Sequence, residues 1–335
     1  MDQPDQALVP EETLSGGPPA HREIGRVARA SRNRAGRPSI EDPSVDDLCC
    51  DDSVNDDLTA ELRGVAEQLV TEAAELVRRR RVEIFGTPGS SSQAVRAKTT
   101  PTDPVTIADT DTEELIRDRL ARLRPGEPIL GEEAGGAAAH PGMVRWVVDP
   151  IDGTVNFVYG IPAYAVSIAA QRDGQSVAGA VADVASGDVY SAGVGLGAHV
   201  VAGGVRRRLR CSQAEDLSMT LLGTGFGYEP RRRAAQAALL AQMLPVIRDI
   251  RRIGSAALDL CMVAAGRLDA YYEHGLNVWD WAAGALIASE AGAELLLPDP
   301  DEPGTSGCLL VAAAPNVAGQ VIAALDSFAG LGPLR

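Results

Sequence analysis

Three acidic segments carry the chemistry that this sequence can do: Gly131-Glu132-Glu133, Asp149-Pro150-Ile151-Asp152-Gly153-Thr154 and Trp279-Asp280. Each lies where an apolar run stops or a helix is expected to begin. Carboxylates gathered at one edge of a sheet repel one another unless a cation neutralises them. Hard oxygen donors without His or Cys suit Mg2+ rather than zinc. The middle segment says most. Pro150 fixes the chain just after its strand, and Gly153 permits a close backbone approach. Asp149, Asp152 and the Ile151 carbonyl can then face one site. The Gly153 and Thr154 amides fall where a helix would start, a position that suits an anion. One turn can thus hold metal and phosphate together. Alone, the hexapeptide could be an ordinary Asp/Pro/Gly turn. Glu132 upstream and Trp279-Asp280 downstream argue for a site.

The totals agree. The 335 residues have a formal net charge of −15. So acidic a surface repels a phosphate backbone, so no nucleic-acid partner is expected. A small anionic substrate meets the same repulsion, which metal cations would relieve locally. The histidines His21, His140, His199 and His274 are scattered, and no C-x-x-C occurs among Cys49, Cys50, Cys211, Cys261 and Cys308. Reduced structural thiols are expected, and a zinc site is not. No apolar run approaches the roughly 20 residues of a membrane span, and no basic-then-apolar leader is evident. A cytoplasmic, membrane-free protein is expected.

Other motifs fail. There is no G-x-x-x-x-G-K-[ST] and no G-x-S-x-G. Asp109-Thr110-Asp111 opens like a calcium loop but lacks its glycine. Gly193-Val194-Gly195-Leu196-Gly197 and Gly223-Thr224-Gly225-Phe226-Gly227 lack dinucleotide spacing; the first reads as a turn between strands. His274 beside Glu273 is a weak substrate candidate, since a lone histidine is ordinarily a core or surface residue.

The elements that must position the acids follow from periodicity. Residues 1–55, polar and poor in apolar spacing, are expected to form a disordered tail. A domain over 56–335 follows, in two lobes, about 56–205 and 206–335. Leu58, Leu62, Val65, Leu69, Ala73, Leu76 and Val77 make one helical stripe from near Asp57. Arg78 to Arg81 are expected to end that helix. Residues 86–93 read as a mobile loop. A second helix is expected near Asp109, with Thr110 and Glu113 as a capping box. Val144 to Val148 reads as a buried strand ending at the acidic turn. Strands are expected over Ala163–Ala170, Val177–Val184, Val189–Ala192, Tyr271–Glu273, Leu295–Leu297 and Leu309–Ala313. Helices are expected over 231–248, Ser255–Ala265, Asp280–Ala291 and Asn316–Leu325. Hairpin-like strands mixed with helices suggest a layered α+β architecture rather than a doubly wound parallel sheet.

The motifs together resemble the inositol monophosphatase family of metal-dependent, lithium-sensitive phosphatases. The matching segments are Asp103-Pro104-Val105-Thr106-Ile107-Ala108-Asp109, Ile129-Leu130-Gly131-Glu132-Glu133, Val148 to Phe157, Gly254-Ser255-Ala256-Ala257, Asp269 to Glu273, and Trp279-Asp280-Trp281-Ala282-Ala283-Gly284. They run in the family's order over about residues 58 to 330. Val155 stands where the family usually has Thr. The resemblance implies an α-β-α-β-α sandwich of the inositol monophosphatase and fructose-1,6-bisphosphatase type, usually homodimeric, with two or three Mg2+ ions. It implies that Glu132, Asp149 and the Ile151 carbonyl bind one ion, that Asp149, Asp152 and Asp280 bind a second, and that Glu132 shares a third. Thr154 and Asp109 resemble the pair that orients and activates the attacking water. Gly153 and Thr154 would hold the phosphate, Glu273 would contact substrate hydroxyls, and Ala256 would line the same pocket. Lys98 loosely matches a basic residue near the metals.

The implied activity is hydrolysis of inositol 1-phosphate to inositol and phosphate by metal-activated water. Such hydrolysis is so slow unaided that rate enhancements up to about 10²¹-fold are called for. Relatives use the same core on histidinol phosphate, fructose-1,6-bisphosphate or 3′-phosphoadenosine 5′-phosphate. A catalytically dead regulatory relative is the alternative from another class, and the complete acidic set argues against it.

Overall fold

The helical stripe from Leu58 to Val77 forms as expected, but its helix is longer than the stripe. In the computed structural model, which describes residues 50–86, 95–97, 104–136 and 139–335, α1 (Cys50–Phe85) starts before Asp57 and runs past Arg81. The arginine run therefore does not end it. Arg78 donates instead to the Val184 carbonyl, and the Arg81 guanidinium lies 5.2 Å and 5.9 Å from the ring centroids of Phe85 and Phe157. A cation over an aromatic face is attracted by the ring quadrupole. Residues 1–49 of the expected tail, 87–93 of the expected loop, and Lys98 lie outside the described residues.

The strands form three sheets. β1 (Val95–Ala97) and β2 (Pro104–Thr106) are a short antiparallel pair leading into α2 (Ile107–Leu123). The largest sheet has seven strands in chain order: β3 (Ile129–Gly131), β4 (Val144–Asp152), β5 (Ala165–Arg172), β6 (Gln175–Asp183), β7 (Val189–Gly193), β8 (Gly197–Ala202) and β9 (Val205–Arg208). Only β3 and β4 pair in parallel; the others form an antiparallel meander. Gly193 to Gly197 make the turn between β7 and β8, as expected. α3 (Thr154–Tyr159) follows β4 at once. The five-stranded sheet is mixed. It is built from β10 (Leu221–Thr224), β11 (Asp249–Arg251), β12 (Ala270–His274), β13 (Glu294–Leu296) and β14 (Leu309–Ala313), in the order β11-β10-β12-β14-β13. The remaining helices are α4 (Pro230–Met243), α5 (Ala256–Ala264), α6 (Val278–Glu290) and α7 (Pro315–Ser327). α4 stops short of the expected residue 248 because Pro245 follows, and a 3-10 turn at Leu244–Val246 takes over.

Three apolar cores show the layering. α1 and α2 cover one face of the seven-stranded sheet through Leu62, Leu69, Ile116, Trp146 and Ile168. α5 and α6 lie between the two sheets, where Leu260, Ile287, Tyr271, Val181 and Leu310 meet. α4 and α7 close the outer face of the five-stranded sheet with Leu222, Met243, Val321 and Leu325. The order is helix, sheet, helix, sheet, helix, which is the expected α-β-α-β-α sandwich. α5 and α6 are apolar nearly all round, as helices buried between two sheets must be. Among the described residues no helix is long and apolar enough to cross a membrane.

Candidate active site

The acidic turn is made by β4. Its ladder with β5 runs evenly from Val144 to Asp149, then shifts register before Asp152. Such an irregularity bends the strand and re-aims its side chains. Pro150 cannot donate to the ladder and sits inside this break. Gly153 follows with φ 91°, where a Cβ would stand 3.0 Å from the carbonyl oxygens of Ala163 and Gly254. Only glycine suits that backbone and that space. The Thr154 hydroxyl donates to the Ile151 carbonyl at 3.0 Å. Asn156 donates to the carbonyls of Ala163 and Ile253 at 2.7 and 2.9 Å, which ties the turn to the segment before α5.

Glu132 is brought alongside by β3, which pairs with β4 so that Gly131 lies beside Val148. The Glu132 amide continues the ladder by donating to the Val148 carbonyl at 3.2 Å. The turn after it is held by a residue that the sequence reading misassigned. Glu113 does not complete a capping box with Thr110, because α2 already begins at Ile107 and Thr110 lies inside it. Glu113 is 2 % exposed. Its carboxylate accepts from the amides of Glu133 and Ala134 at 2.8 and 3.0 Å and pairs with Arg117 at 2.8 Å. It also fills the space beside Gly131 where any Cβ would collide with it. The available signal was a second buried acid one helical turn before Arg117.

Two helix starts complete the site. Ser255 caps α5, accepting from the Leu258 amide at 3.2 Å, and its hydroxyl donates to Asp152 Oδ2 at 2.6 Å. The Ala257 amide donates to the same oxygen at 2.7 Å. Asp280, in the first turn of α6, accepts from the Asn277 amide at 2.7 Å. Asn277 in turn accepts from the Gly304 amide at 2.9 Å. Each carboxylate is thus fixed through one oxygen, and the sequence showed neither Ser255 nor Asn277 in that role.

Glu132, Asp149, Ile151, Asp152, Gly153, Thr154, Ala256, Glu273 and Asp280 line one cavity of about 900 Å³. Asp109 is not among the lining residues. It is buried at the start of α2 and close enough to Asp149 to disfavour its charge. His274 faces away, with Nε2 2.8 Å from the Gly330 carbonyl, so it is a core residue. Cys211, Cys261 and Cys308 are free thiols.

The electrostatics show what the cavity lacks. Burial drives the Asp149 carboxyl well above the ordinary range, and Glu132, Asp152, Asp280 and Asp109 push it further. Burial does the same to Asp280, with Glu132 and Asp152 adding and the Asn277 amide opposing. Asp152 rises to about 6 through burial, opposed by the Ser255 hydroxyl and the Ala257 amide. Asp149 Oδ1 is buried with no hydrogen-bond partner among the described residues. Among those residues no group of three or more His, Cys, Asp or Glu side chains is drawn together as around a bound metal ion; the carboxylates of Glu132, Asp149, Asp152 and Asp280 line one cavity instead. Clustered, mutually repelling oxygen donors with an orphaned carboxylate oxygen fit a hard divalent cation such as Mg2+.

A family model described as "Inositol monophosphatase family" matches residues 58–328. An inositol-1-monophosphatase of Mycobacterium leprae is 65 % identical over 288 residues, which is 84 % of this chain and 99 % of the relative. The inositol-1-monophosphatase SuhB of Mycobacterium tuberculosis is 64 % identical over 285 residues, 83 % of this chain and 98 % of the relative. The solved structure of Mycobacterium tuberculosis SuhB superposes with a TM-score of 0.70 at 60 % identity, over 82 % of this chain and 98 % of that one.

Proposed function

The chain belongs to the inositol monophosphatase family, and from that premise we propose that it hydrolyses inositol 1-phosphate to inositol and phosphate. The family consists of Mg2+-dependent phosphatases for small phosphate monoesters. The observation that carries the reading is the single cavity shared by Glu132, Asp149, Asp152, Asp280, the Gly153-Thr154 turn and Glu273. The carboxylates of Glu132, Asp149, Asp152 and Asp280, with the Ile151 carbonyl, are the groups that would hold Mg2+. Bound there, Mg2+ would neutralise the cluster and stabilise the charge that develops on the attacking and leaving oxygens of an in-line displacement.

The chain's own residues do the rest. Thr154 spends its proton on the Ile151 carbonyl, which leaves its lone pairs to accept a hydrogen bond from the attacking water. Asp109 is buried behind Asp149 and outside the cavity lining, so it acts on that water through the groups in front of it, Thr154 and Asp149, rather than by touching it. The Gly153 and Thr154 amides orient the phosphate, and Glu273 receives the hydroxyls of the leaving group beside Ala256. The enzyme acts as a homodimer in the cytoplasm, as family membership suggests.

Phosphate release with Mg2+ and with EDTA tests the reading. The substrates are inositol 1-phosphate, histidinol phosphate, fructose-1,6-bisphosphate and 3′-phosphoadenosine 5′-phosphate. Mg2+-dependent release fastest from inositol 1-phosphate is expected. Much faster turnover of another member refutes the substrate, and no release from any refutes the activity.

A further inference from the structure

The Gly223-Thr224-Gly225 run is not needed for phosphate chemistry, yet it ends at Gly225, which lines the same cavity. Its two glycines alternate along the end of β10 and so face the same way. A Leu268 methyl lies nearest the first, 2.8 Å from where a Cβ on Gly223 would stand, with Asp259 Oδ1 of α5 at 3.1 Å and the Tyr271 ring edge at 3.2 Å from that point. The Glu273 carboxylate fills the space over the second, where a Cβ on Gly225 would collide with it. Tyr271 joins the two, since its hydroxyl donates to Glu273 Oε2 at 2.5 Å. Tyr271 is fully buried, and so nearly is Asp259, whose Oδ1 has no hydrogen-bond partner among the described residues. Larger side chains at 223 and 225 would close the slot that admits both acids.

We propose that Tyr271 is a specificity-determining positioning residue, which aims Glu273 at the leaving-group hydroxyls from a slot made by Gly223 and Gly225 and backed by the buried Asp259. The inference rests on the phosphatase reading above. Tyr271 has one proton and gives it to Oε2, so Glu273 presents Oε1 to the substrate.

The groups facing Glu273 are Tyr271 on its own strand, Asp259 on α5, Arg252 after β11, Asp152 on β4 and Asp280 on α6. Burial lifts Glu273 to about 7, opposed by Tyr271 and Arg252. Burial first, and then Glu273, holds Asp259 well above the ordinary range.

The test is Tyr271→Phe, which keeps the ring and removes the donor. With Mg2+ saturating, KM for inositol 1-phosphate is expected to rise roughly 3- to 10-fold, the net size of one ordinary lost hydrogen bond. KM for p-nitrophenyl phosphate, which has no hydroxyls to place, should not move. The pH at which KM for inositol 1-phosphate changes should shift upward by about half a unit or more, because a donor to the ionised form is gone.

Equal effects of Tyr271→Phe on both substrates overturn the proposal, and so does no effect on either. Carboxyl ¹³C NMR of Glu273, assigned with Glu273→Gln, reads the same titration without turnover. It therefore decides the Tyr271–Glu273 coupling even if wild-type protein does not release phosphate from inositol 1-phosphate, a result that would sink the substrate reading alone.

Discussion

Replacing Asp152 by Asn separates the two things this carboxylate does. Its Oδ2 accepts from Ser255 and Ala257, which fastens the acidic turn to the start of α5. Its charge adds to a cluster that the fold alone does not neutralise. Asp152 titrates at about 6 in the folded chain against an ordinary 3.8. The folded state therefore binds the extra proton between those values, and stability falls as pH rises through that window. At roughly 1.4 kcal/mol per tenfold change, the ionised form costs the metal-free fold about 3 kcal/mol above pH 6. An Asn retains an acceptor for Ser255 and Ala257 and carries no charge. In EDTA at pH 7.5, Asp152→Asn should therefore melt higher than wild type. Recovering about half of that cost corresponds to roughly 3–6 °C for a domain of this size. At pH 5 the difference should shrink to about half, and it should vanish only well below the ordinary value of 3.8, where Asp152 is protonated in the unfolded chain as well. Turnover at saturating Mg2+ should drop at least about 100-fold, the usual scale for removing a group that stabilises transition-state charge, and the Mg2+-induced rise in Tm should shrink. Calorimetry across pH with and without Mg2+, together with phosphate release, checks all of this. A variant that melts lower than wild type in EDTA at pH 7.5, or one that keeps near-normal turnover, would falsify the reasoning.

Other perturbations read other parts of the site. Glu113→Gln should weaken the hold on the Glu133 and Ala134 amides and the pairing with Arg117, costing about 1–3 kcal/mol by denaturant unfolding; because the turn after Glu132 loosens, the Mg2+ concentration for half-maximal rate should rise as well. Thr154→Val should cut kcat by about 10²–10⁴-fold, the range for general acid–base groups, while Thr154→Ser retains most of it; similar kcat values for the two variants would remove the hydroxyl from the mechanism. Asn156→Ala leaves the Ala163 and Ile253 carbonyls without their donor and should lower stability by about 1–3 kcal/mol, with unfolding monitored by circular dichroism.

Local signals in the chain determined a good part of this protein. The 58–77 stripe, the β4 run into Asp149, the left-handed glycine turn at 153 and the strand Leu309–Ala313 depend on side-chain periodicity and backbone preference within a few residues, so the sequence states them directly. The acidic set was readable for the same reason, because each acid ends or begins a local element. What joins those acids was not readable. Ser255 and Ala257 reach Asp152 across 103 and 105 residues, and only the seating of α5 between two sheets brings them there. The capping-box reading of Thr110 and Glu113 obeyed a correct local spacing. It failed because α2 starts three residues earlier and the Glu113 carboxylate is used by amides 20 and 21 residues further on. β8 and β9 escaped notice because they continue the meander at its edge, where the exposed arginines 206–208 show no apolar alternation. β10 and β11 escaped because they pair in parallel with strands distant in sequence. Hydrogen bonds and charges that span layers depend on register and packing, and those exist only once the sheets have formed.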